Sequence, residues 1–165
     1  MIKKILTIIS SVIVCCSCTS QNDEEMIRNL IRNGAELAEE KQIGDLMKLT
    51  GDGFTALPGS YDAVSVKGIL FRAFLHYGVF TILYPTPSVE LGSQDGAASA
   101  TVYFLIVRQN QDIPGLKELA DDPVRWLETA GRKADLYRLE LQLKRTDSRW
   151  LVYWAHLEGF KGTGF

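Results

Sequence analysis

Apolar positions recur with two different periods along this chain, and the period changes once, near Val79. Ile27, Leu30, Ile31, Gly34, Ala35 and Ala38 keep helical spacing, while Arg28, Arg32, Glu36, Glu39 and Glu40 fall largely on the opposite side. Asn22 with Glu25 three residues later resembles a capping box, so this helix is expected to open there. A second short apolar group, Ile43, Leu46, Met47 and Leu49, runs to the breaker Gly51-Asp52-Gly53, and Phe54 and Leu57 follow before Pro58-Gly59. The next helix starts between Ser60 and Asp62, repeats through Val66, Ile69, Leu70, Ala73, Phe74 and Tyr77, and stops at Gly78. Phe71 and Leu75 widen its apolar face, which predicts burial on more than one side.

Beyond Val79 the pattern turns strand-like. Phe80 to Leu91 holds Pro85 and Pro87 and so belongs at an edge or in an irregular strand. Gln94-Asp95-Gly96 reads as a turn, and Ala98 to Gln109 as a strand rich in β-branched and aromatic residues. A polar connection follows, with short helical turns expected around 116–120 and 123–129. Ala134 to Arg145 and Trp150 to Leu157 form a hairpin about Thr146-Asp147-Ser148-Arg149. Helices first and long antiparallel strands afterwards make an α+β fold, with the helices packed on one sheet face.

The N-terminus carries an address. Lys3 and Lys4 precede an apolar run from Ile5 to Val14, and Cys15-Cys16-Ser17-Cys18 closes it. A basic head, an apolar stretch too short to span a bilayer and a small residue before cysteine describe a secretory signal. The ending resembles the lipobox of bacterial lipoproteins, although Cys15 stands where leucine is usual. That resemblance implies cleavage before Cys18, which Ser17 favours, and acylation of the Cys18 thiol. The division expected is a signal at 1–17, a lipidated cysteine and tether at 18–23, a folded domain at 24–158 and a tail at 159–165. Thr19 in place of an acidic residue points to the outer membrane facing the periplasm, so the expected location is the cell envelope, held to the membrane through a lipid anchor.

Composition removes several function classes. Losing Lys3 and Lys4 takes the formal charge from −2 to about −4. Basic residues are scattered among acids, so no stripe suits a nucleic acid. With Cys15 and Cys16 gone and Cys18 acylated, disulfides and cysteine metal sites are excluded. His76 and His156 have no carboxylate at ligand spacing, so no metal motif is present, and no cofactor motif is found.

Three stretches, Ala38 to Phe54, Ala97 to Val107 and Arg149 to His156, resemble the layout of the nuclear transport factor 2-like (NTF2-like, SnoaL-like) superfamily. They read as a helix ending in an acidic turn before an aromatic, a strand after a glycine turn, and a terminal strand opened by tryptophan. The resemblance covers nearly all of the mature chain. It implies a cystatin-like cone of helices on a curved antiparallel sheet, with a pocket. It implies no reaction, because the superfamily mixes isomerases, dehydratases, binding domains and accessory domains.

Strand alternation nominates the pocket lining. Tyr137, Leu139, Leu141 and Leu143 share one face and have Asp135 at their end; Trp150, Val152, Trp154 and His156 form the matching set on the last strand. The expected ligand pocket is Tyr84, Phe104, Tyr137, Trp154 and His156. An isomerase or dehydratase would need a general base, for which Asp135 or His156 is the candidate, and a donor such as Tyr137 or Tyr84. The competing reading is a non-catalytic lipoprotein that binds an apolar small molecule or an envelope partner protein. Two strands apolar on both faces also call for cover, from a second copy in a homodimer, a partner, or the chain's own loop and tail.

Overall fold

The computed structural model describes residues 17–93, 96–109 and 134–160. Helix α1 spans Ser17–Glu39, and α2, Ile43–Leu46, runs on into a 3-10 turn at Met47–Leu49. Strand β1 (Thr50–Leu57) precedes α3 (Ala63–Tyr77), and β2 (Phe80–Leu83), β3 (Ser88–Leu91), β4 (Ala97–Arg108), β5 (Ala134–Thr146) and β6 (Arg149–Phe160) follow. The sheet order is β1-β6-β5-β4-β2, with β3 also on β4.

The expected α3 is present with both its signals. The Asp62 side chain accepts from the Ser65 amide at 2.8 Å, and Gly78 takes the positive φ of 68° that ends the helix. Helix α1 differs: it begins at Ser17, so Asn22 lies inside it and the stretch expected as a tether is helical. Asp23 explains the hold. Its carboxylate accepts from Arg145 Nη1 at 3.0 Å and from Trp150 Nε1 at 3.3 Å, which fixes the front of α1 to the β5–β6 turn. The helical turns expected at 116–129 lie outside the described residues.

The prolines divide one expected strand in two. β2 pairs with the end of β4 and β3 with its beginning, and the unpaired segment between them holds Pro85 and Pro87, which have no amide to donate. The stretch read as a breaker, Gly51-Asp52-Gly53, belongs to β1. That strand pairs with β6 in parallel, so the sheet is mixed where sequence pattern indicated an antiparallel one. A Cβ on Gly51 would lie 2.4 Å from Cζ of Tyr153, so a side chain there would have to displace the ring that rests on this backbone.

The covered sheet face is the fold's core. Ala98, Ala100 and Val102 of β4 pair with Leu143, Leu141 and Leu139 of β5, and Val152 of β6 pairs with Leu143. Ile27, Ile31, Met47, Phe54 and Trp150 join them in one buried cluster. The other face is wet over much of its area but not throughout, since Leu105 and Val107 are buried there. Full burial of a leucine in such a cluster is worth about 2 kcal/mol in transfer alone. Truncation also leaves a void, so Leu143→Ala, at a site 1 % exposed, is expected to destabilise by about 2–5 kcal/mol. Ser99→Ala on the opposite face should stay within about 0.5 kcal/mol. Urea unfolding followed by tryptophan emission measures both.

Candidate functional site

The chemistry-bearing residues divide between the two sheet faces because β6 carries one extra residue. Leu143 pairs with Val152 and Gln142 with Trp154, which leaves Tyr153 as a β-bulge. An extra residue reverses the side-chain sense of everything beyond it. Trp150 and Val152 therefore point to the core, but Trp154 and His156 face outward and Ala155 and Leu157 take the inner positions, opposite Leu141 and Leu139. The expectation that Trp154 and His156 line the inner pocket is corrected by this bulge.

On the outer face His156 stands between two carboxylates. Its Nδ1 is 3.5 Å from Glu140 Oε2 and its Nε2 is 3.8 Å from Glu158 Oε1, with the Trp154 ring 5.9 Å away. Arg138 bonds Glu140 closely and reaches Glu158 at 3.6 Å. The guanidinium bond is the main cause that holds the Glu140 carboxyl below its ordinary value. This row is a solvated cross-strand charge ladder of the kind that supports pairing.

Tyr84, Phe104 and Tyr137 do take the inner side. Tyr84 packs against the core cluster, and burial pushes its phenol above the ordinary value. Phe104 stacks on Tyr137 with centroids 5.4 Å apart. Asp135 and Tyr137 are linked by a residue that sequence pattern assigned only to a helix face. Tyr77 Oη donates to Asp135 Oδ2 at 2.8 Å and lies 2.6 Å from Tyr137 Oη. Tyr77 has one proton, and it goes to the carboxylate, so Tyr137 is the donor in the second bond. Arg108 completes the group: its guanidinium lies 5.4 Å from the Tyr77 ring centroid and gives a hydrogen bond to His76 Nε2 at 2.8 Å.

What this cluster can do is limited by where its protons are. Desolvation first, and then the bond to Asp135 and the charge of its carboxylate, raise the Tyr77 phenol far above the ordinary tyrosine value, which keeps its proton in place at neutral pH. An oxyanion donor must aim a free proton at a reacting atom, whereas the Tyr77 proton is committed to Asp135. Asp135 itself is exposed. The arrangement ties the end of α3 to β5. Only the position of Tyr77, in the last turn before Gly78, could have signalled it.

Two open concavities occur elsewhere. One of about 260 Å³ lies between α1, the 3-10 turn and the β5–β6 turn, and one of about 560 Å³ runs over the outer face past Ser99, Gln142 and Trp154. Neither is lined by Asp135, Tyr137 or Phe104. Among the described residues no group of three or more His, Cys, Asp or Glu is placed to hold a metal ion, and no helix is long and apolar enough to cross a membrane.

Solved structures resemble this arrangement. An NTF2-like protein with a cystatin-like fold from Novosphingobium aromaticivorans superimposes with a TM-score of 0.63 at 14 % identity, covering 88 % of this chain and 86 % of its own. The chain has the NTF2-like fold. ActVI-ORFA from Streptomyces coelicolor shares this NTF2-like architecture (TM-score 0.61, 11 % identity, 82 % and 95 % covered), as does Aln2 from a Streptomyces species (TM-score 0.63, 10 % identity, 84 % and 91 % covered). No protein-family model and no curated protein sequence matches.

The raised Tyr77 value has a measurable consequence. A folded value above the unfolded 10.0 means stability that is complete below pH 10.0 and is lost as pH rises toward the folded value. Absorbance titration of the phenols should show one late tyrosine, absent in Tyr77→Phe and shifted down in Asp135→Asn. Alkaline unfolding of the wild type should be steeper with pH than that of Tyr77→Phe.

Proposed function

We propose that this chain is an envelope lipoprotein, anchored through Cys18 to the outer membrane and facing the periplasm, whose NTF2-like domain binds a partner and does not transform a substrate. The observation that carries the binding half is the filled cup. Ala98, Ala100, Val102, Leu141, Leu143, Trp150 and Val152 meet Ile27, Ile31, Met47 and Phe54 in one buried cluster that uses the inner space for packing. This favours a protein surface over an enclosed apolar ligand. The polar groups agree: Tyr77 is committed to Asp135, and His156 is turned away from the cup. The basic head, short apolar run and Ser17-Cys18 supply the reason for the anchor.

Two measurements read the two halves separately. Cells fed an alkyne fatty acid should label the wild-type chain and leave Cys18→Ser unlabelled and released from the membrane fraction. An unlabelled wild type removes the anchor. Native mass spectrometry of the chain extracted in mild detergent should show no stoichiometric small molecule, and a retained one contradicts the filled cup.

A further inference from the structure

Helix α3 has two apolar faces, and only one of them is buried. Val66, Leu70 and Phe74 turn inward, and Phe74 packs on Phe80 with ring centroids 5.6 Å apart. The expectation that Phe71 and Leu75 extend this buried face is overturned: Phe71 is 57 % exposed, Leu75 68 % and Val64 75 %. With Gly68 they are spaced by four, three and four residues, which aligns them in one outward stripe. Lys67 borders the stripe on one side and Arg72 on the other, α3 contains no acidic residue, and neither cation makes an ion pair among the described residues.

Gly68 is the second observation. Glycine inside an exposed helix costs stability relative to alanine. Among the described residues nothing lies within 4 Å of a Cβ built on it, so none of them requires the glycine. It leaves a notch between Val64 and Phe71, open to an approaching backbone.

We propose that the Val64–Gly68–Phe71–Leu75 stripe of α3, between Lys67 and Arg72, docks an apolar segment of a partner protein that carries acidic residues on both flanks. Aromatic and arginine side chains are the types that anchor protein interfaces, and the paired cations select an acidic complement. The choice of a protein over the lipid surface rests on the anchored reading above. Cys18 lies five residues before Asp23, which is bound to Arg145, while Tyr77 at the end of α3 is bound to Asp135. Those two β5 residues are ten positions apart, roughly 33 Å along a strand. An anchor at Cys18 therefore lies at the end of β5 opposite the one to which the last turn of α3 is clamped.

A photo-crosslinking residue replacing Leu75 in the full chain, expressed in intact cells, tests this. The adduct is expected on one partner protein, and peptide mapping should place it in a segment with acids flanking apolar residues. Lys67→Glu with Arg72→Glu should lower the yield at least tenfold, and exchanging the mapped acids for lysine should restore it. Gly68→Ala should raise the Tm by about 2–4 °C while lowering the yield severalfold; an unchanged yield removes the notch. Adducts to lipid, to a second copy of this chain, to a segment without acids, or no adduct at all would each overturn the proposal. The same crosslink on Cys18→Ser separates the two ideas: if it persists without fatty-acid labelling of the wild type, the anchor fails and the docking stripe stands.

Discussion

The cover that α1 places over the inner face of β4, β5 and β6 is the constraint from which the other features follow. β4 offers Ala98 and Ala100 where β5 offers Leu143 and Leu141, so small and large side chains meet across the strands. The alanines make room for Ile27 and Ile31, which are buried against that surface. Asp23 holds the helix in register by accepting from Arg145 and Trp150 at the turn that begins β6. Interiors packed this way fill their space with side chains. A cone of this architecture can enclose a ligand; here the part beneath α1 is occupied by buried side chains of β4, β5 and β6.

The bulge at Tyr153 then decides which chemistry faces which side. Because β6 gains one residue against β5, the aromatic and imidazole groups of Trp154 and His156 leave the core and join Arg138, Glu140 and Glu158 in an outer ladder. The inner polar group that remains, Tyr77 with Tyr137 and Asp135, is internally satisfied and acts as a clamp between α3 and β5. That clamp also sets the attitude of α3. With Phe74 and Tyr77 directed at the sheet, Val64, Phe71 and Leu75 must face solvent, since a helix cannot turn both stripes to one surface.

Much of the fold was legible in the sequence because it depends on local period. The change from helical spacing before Val79 to alternation after Ala97, the Asp62 and Gly78 signals of α3, and the hairpin about Asp147 are all written in short windows. Asp147 takes the positive φ of 55° that a tight hairpin turn requires. The losses came from non-local geometry. Alternation alone cannot reveal an extra residue in β6, so Trp154 and His156 were placed one face too far inward. A Gly-Asp-Gly stretch reads as a breaker until a tyrosine ring on another strand is seen to rest on the Gly51 backbone. Apolar spacing counts Phe71 and Leu75 as core because a buried face and an exposed apolar stripe use the same residue types. Asp135 with Tyr137 was legible from parity, while Tyr77, which joins them from a helix far away in the chain, was not.

The measurement that bears most directly on the filled interior is crystallography of the chain under xenon pressure, because xenon enters apolar voids that water leaves empty. We expect no xenon between α1 and the sheet, with Val102, Leu141 and Leu143 in contact with the helix. A xenon atom within that cluster, or density for a bound molecule beside Phe104 and Tyr137, would show an interior open to ligands and contradict the account.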